Sequence, residues 1–174
     1  MIRSNLILLF FILFSNSVIA QTIALRKVVS LPTLVKETSG VTTTVQAWFW
    51  THNDSGNDPA IYKIDTFGTV LKTITIKNST NVDWEEITRD DNNNLYIGDF
   101  GNAFNNRKDL KIYKISDPDK ITGDTISAEV IDFSYSNQHQ FPPSTANLMF
   151  DEEAMFYFNE FLYLFTKNRT NPYN

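Results

Sequence analysis

The sequence predicts an all-β chain. Three observations carry that prediction: short apolar strings recur, turn residues bound each of them, and no long segment holds a 3.6-residue apolar period with helix caps. Ile61-Tyr62-Lys63-Ile64-Asp65 returns 51 residues later as Ile112-Tyr113-Lys114-Ile115-Ser116. Upstream of each copy an aromatic string runs into polar residues, at positions 47–54 and 95–99, and a third such string spans 162–168. Each is preceded by an acidic start: Glu37-Thr38-Ser39-Gly40-Val41, Glu85-Glu86-Ile87-Thr88 and Glu152-Glu153-Ala154-Met155.

The second copy reads as four strands, at 86–89, 94–98, 110–115 and 126–135. Asp90-Asp91-Asn92-Asn93 turns between the first two, and Asp117-Pro118-Asp119 with Gly123-Asp124 stands before the fourth. The first copy matches, with Thr66-Phe67-Gly68 turning between strands at 61–65 and 69–76. Four short strands in about 50 residues, repeated, is the pattern of β-propeller blades. A β-sandwich, the main competing all-β architecture, does not explain the returning strings. The third copy stops after two strands. The expectation is therefore a partial β-propeller of about two and a half four-stranded blades. Residues 21–174 then read as the N-terminal part of an incomplete propeller domain, and 23–31 as a strand outside the first copy.

Residues 1–20 are set apart from that domain. Arg3 gives a positive start, 6–14 is an unbroken apolar run, and Ser17-Val18-Ile19-Ala20 supplies small residues for cleavage. This is the pattern of a Sec-type signal peptide, too short for a spanning helix. It predicts a secreted or cell-envelope protein with no membrane span after cleavage. The chain has no cysteine, so its stability rests on its core or on bound ions.

Removing the leader takes one arginine from 15 basic side chains against 20 acidic ones, leaving a net charge of about −6. No basic stripe is available to neutralise phosphates, which excludes nucleic acid as the expected partner. An extracellular polymer, peptide or ion is the expected ligand class.

The strings THNDSG (51–56), DWEEI (83–87), LYIGDFGN (95–102), DEEAM (151–155) and LYLFTK (162–167) are spread, in order, through most of the chain after the leader. In them the chain resembles a group of secreted bacterial proteins of unknown function, read as β-propellers. Several of that group carry a C-terminal sorting domain for type IX secretion. The resemblance implies an extracellular or cell-envelope propeller and no established reaction.

Candidate site residues follow from where blade strands begin and end. Glu37, Glu86 and Glu153 stand at the starts of the three innermost strands, where carboxylates converge on a channel mouth and can offer oxygen ligands to Ca²⁺. Asp99 joins them as a candidate metal ligand. His52, Asn53, Asp54 and Asn102, in the loops after the second strands, are the candidate ligand-binding residues. His52 and Asp99 align in the repeat and hold a loop or line a pocket. Asp90–Asn94 lacks the glycine and the glutamate of a calcium loop and reads as a hairpin turn. With only His52 and His139 in the chain, a serine triad has no support. Two functions remain: a secreted propeller acting as a binding or interaction module, and a cation-dependent hydrolase of the phytase-like or lactonase-like propeller type.

Overall fold

Trp48, Trp50 and His52 alternate with Phe49, Thr51 and Asn53 along a single strand, so the two faces of the first sheet bury different partners. The computed structural model describes residues 24–45 and 47–170; the expected leader lies outside them. β1 (Thr38–Val45), β2 (Trp48–Asn53), β3 (Ala60–Asp65) and β4 (Val70–Ile76) form an antiparallel sheet in sequence order. β5 (Trp84–Arg89), β6 (Leu95–Asp99) and β7 (Lys111–Ile115) begin a second. After β7 the chain first gives β8 (Thr125–Ile126) to the outer edge of the first sheet, parallel to β4, and then closes the second with β9 (Glu129–Asp132). β10 (Asp151–Phe158) and β11 (Phe161–Lys167) pair as a third sheet. The described residues form an all-β fold, and no sheet among them is closed on itself. Helical structure among the described residues is limited to three 3₁₀ turns, and no helix there is long and apolar enough to cross a membrane.

The local chemistry of the turns is direct. Asp90 Oδ1 accepts from the backbone N–H of Asn92 and of Asn94, each at 2.9 Å, and Asn93 takes φ 63°. The Asp90 run is thus a hairpin turn between β5 and β6. Asp65 does the same between β3 and β4, accepting from Phe67 and Thr69, with Gly68 at φ 82°.

Two packed interfaces join the three sheets. Trp50, Ile61, Ile74 and Ile76 of the first sheet meet Ile87, Leu95, Ile97, Tyr113 and Ile115 of the second. The opposite face of the second sheet, with Tyr96 and Ile112, meets Met155, Leu162 and Leu164 of the third. Each large aliphatic side chain fully buried there contributes about 1.5–3 kcal/mol relative to exposure. The first strands also lie side by side, β1 against β5 and β5 against β10.

Two departures from the expected strands have physical causes. The fourth strand expected over 126–135 shortens to β9, because the chain before it is captured by the first sheet. Asn78 clamps Ala128 through both backbone groups, at 2.8 and 2.9 Å, and Lys63 pairs with Asp119 at 2.7 Å. Residues 24–31 form no ladder. Val28, Val29 and Leu31 instead lie over Val41, Phe49 and Ile64, on the face of the first sheet turned away from the second.

Candidate functional site

Each first strand carries a one-residue bulge near its start. The bulge falls between Thr38 and Val41, between Trp84 and Glu86, and between Glu152 and Ala154. Matching the strands through it makes Glu37, Asp83 and Asp151 equivalent, followed by Thr38, Trp84 and Glu152. Ser39, Glu85 and Glu153 come next, and then Gly40, Glu86 and Ala154. The three glutamates expected to be equivalent therefore occupy three different positions of the repeat. In the second strands His52 faces Ile61 and Gly98 faces Ile112, so His52 corresponds to Gly98, and Asn53 to Asp99.

Glu37 lies before β1, exposed, accepting from Asn57 Nδ2 at 2.6 Å with Lys36 at 3.5 Å. The Asn57 hydrogen bond, with Lys36, holds its pKa below the usual carboxylate range. Glu86 turns toward the junction of β1 and β5, where its Oε1 accepts from Ile87 N–H at 2.9 Å. Burial raises its pKa. Neither takes part in a carboxylate cluster.

The carboxylates that do converge are Asp54, just past β2, Asp83, just before β5, and Glu85, at the bulge of β5. Each offers an oxygen, and these oxygens lie within 4.8 Å of one another. Gly101 floors the cluster. A Cβ there would stand 2.4 Å from Asp83 Oδ2 and 2.4 Å from Glu85 Oε1, so only glycine lets the carboxylates come this close to the β6–β7 loop. Burial first, then the charges of Asp83, Glu153, Asp54 and Asp151, push Glu85 up to about 8. Asp83 is raised by burial and by Asp54. Glu153, raised by burial and by Asp151, flanks the cluster and accepts from Arg169 Nη2 at 2.8 Å.

Asp99 sits beneath, fully buried. Its Oδ1 accepts from Asp83 N–H at 3.0 Å and pairs with Arg107 Nη2 at 3.0 Å. Burial raises its pKa and Arg107 opposes the rise. Asp99 thus positions the Asp83 backbone. Asn102 fastens the same loop to the third sheet: its backbone N–H donates to Asp151 Oδ1 at 2.6 Å and its Nδ2 to Phe150 O at 2.9 Å. Its own Oδ1 accepts from Asn106 and Arg107 N–H.

His52 and Asn53 are buried between elements rather than open to a ligand. His52 meets Trp84 edge to face, centroids 5.6 Å apart, and its Nδ1–H donates to Asn53 O at 2.9 Å. Burial lowers its pKa, favouring the neutral ring. Asn53 Nδ2 donates to Leu34 O at 2.9 Å. Of the residues expected from sequence, Asp54 is in the cluster, Glu153 flanks it, and Asp99 and Asn102 support it. Asp83 and Glu85 were missed. Aligning ETSGV, DWEEI and DEEAM from their first acid was the signal that finds them. Comparison of the chain with family models, with curated proteins and with solved structures gave no match.

Proposed function

We propose that the three sheets are consecutive blades of a β-propeller and that the chain is a secreted or cell-envelope binding module. Its ligand surface is the acidic end, and its ligand is a divalent cation or a cationic group on an extracellular polymer or peptide. The side-by-side first strands, the repeated bulge and the repeated acid before it support the blade reading. One observation carries the function: Asp54, Asp83 and Glu85 converge from two sheets, and no lysine or arginine among the described residues forms an ion pair with any of them. Ca²⁺, which takes carboxylate and carbonyl oxygens in flexible geometry, suits such a set.

Calorimetric titration of the purified protein with CaCl₂ tests this. Saturable binding that weakens about ten-fold or more in Glu85→Gln supports the reading. Absence of binding by both Ca²⁺ and cationic peptides overturns it.

A second reading, the cation-dependent hydrolase, has one observation in its favour. A half-buried carboxyl held near 8, as Glu85 is, suits general acid–base work beside a bound metal. Turnover on a phosphoester and lactone panel, abolished by Glu85→Gln, would select it over the binding module.

A further inference from the structure

Between β9 and β10 the chain makes no strand, and the first part of that segment folds back onto the β6–β7 loop. Asn105, fully buried with φ 52°, ties the two together. Its carbonyl accepts from Gln138 Nε2 at 2.9 Å, and its Oδ1 accepts from Phe150 N–H at 2.7 Å. Along this seam lies a pocket of about 230 Å³, inside the second repeat and with the third sheet following it. Phe133, Tyr135 and Phe141 give it aromatic walls.

Two polar groups of the pocket lack a partner of their own kind. Gln138 is 7% exposed, and its bond to the Asn105 carbonyl fixes which end of the amide is nitrogen. Both its hydrogen bonds among the described residues leave from Nε2, so Oε1 remains as an acceptor on the pocket wall. Lys108 Nζ stands 4.9 Å from the centroid of the Phe141 ring and forms no ion pair among the described residues. The neighbouring Arg107 is committed to Asp99 and Asp109, at 3.0 and 3.2 Å. The Tyr135 hydroxyl is buried beside Glu152, so this residue gives the pocket its ring alone.

These groups define a ligand. A volume below the roughly 300–1,000 Å³ of drug-sized sites admits a single ring, and aromatic walls favour one with an apolar face. A buried acceptor without a donor calls for a ligand O–H. An ammonium without a carboxylate calls for an anion. We propose that this pocket binds one uronic acid ring, its carboxylate on Lys108, a hydroxyl donating to Gln138 Oε1, and its C–H face on the aromatic walls. A neutral sugar leaves Lys108 unmatched, and a simple aromatic acid brings no donor for Gln138. The site is separate from the acidic end, whose carboxylates select cations, and stands whether or not that end binds one.

The test titrates the purified protein with sodium glucuronate, glucose and sodium benzoate, following backbone amide shifts by NMR. Glucuronate shifts residues 105–110 and 133–141 saturably, and binds at least about ten-fold tighter than glucose or benzoate. Lys108→Met, a change at an exposed position, lowers glucuronate to the level of glucose and leaves glucose unchanged, with the circular dichroism spectrum kept. A structural role for Lys108 would weaken both sugars alike, and that result overturns the assignment of the carboxylate. Benzoate binding as tightly as glucuronate overturns the sugar ring. No shift in either segment with glucuronate up to about 50 mM overturns the site.

Discussion

Gly40 of β1 and Glu86 of β5 touch: a Cβ at residue 40 would stand 2.7 Å from Glu86 Oε1, 2.8 Å from its Cα and 2.5 Å from the Ile87 nitrogen. Two of those three atoms are backbone and cannot swing away. Gly40→Ala must therefore push the first strands of two sheets apart. Overpacking of this kind costs about 1–3 kcal/mol, to be read from urea unfolding. A loss below about 0.5 kcal/mol would show that the strands do not approach this closely.

Asn102 satisfies backbone groups in both the β6–β7 loop and the approach to β10. Asn102→Ala leaves Phe150 O and the N–H groups of Asn106 and Arg107 without that partner. Unfolding should become easier by about 2–4 kcal/mol. Hydrogen exchange should rise first in residues 100–110 and at the start of β10. Unchanged exchange there would place the latch elsewhere.

Stability should fall on both sides of a pH optimum, for opposite reasons. Glu85 has its folded pKa raised from 4.5 to about 8, so the unfolded state gives up its proton first. Its contribution is complete below pH 4.5 and disappears as pH rises through 8. After allowance for solvent screening this is about 2 kcal/mol. His52 runs the other way. Its folded pKa is lowered from 6.5, so the unfolded state takes up a proton first and stability falls as pH drops below 6.5. Glu85→Gln should flatten the alkaline limb of a melting-temperature profile between pH 5 and 8. His52→Phe should flatten the acid limb.

Cation binding should act on the same limb. Carboxylates that are costly to ionise when crowded become cheap to ionise around Ca²⁺. Added CaCl₂ should therefore raise the melting temperature more at pH 8 than at pH 5, and the gain should vanish in Asp83→Asn. An equal effect at both pH values would point to non-specific salt screening.

What could be read from sequence divides along a physical line. The alternation through Trp50, Tyr96 and Tyr163 and the turn at Asp90 depend on neighbours in the chain, and both were legible. β8 was not, because its capture rests on Asn78 clamping Ala128, 50 residues away. The cluster was legible only in part. Asp54 was found because it ends a recognisable string. Glu85 was passed over for Glu86 because a one-residue bulge moves the strand register by one, so that matching the strands by their glutamates mispairs them; only alignment from the first acid of each string restores the register. His52 looked available for a ligand in its polar loop, yet it lies inside β2, one residue before its end, with its ring against Trp84.

The most direct test of the acidic end as a ligand site is the titration midpoint of the Glu85 side-chain carboxyl, followed by carbon-detected NMR with and without Ca²⁺. The account predicts a midpoint of about 8 in metal-free protein and a fall of two units or more, roughly, in saturating Ca²⁺. A midpoint near 4.5 in metal-free protein, or one that Ca²⁺ does not move, would contradict it.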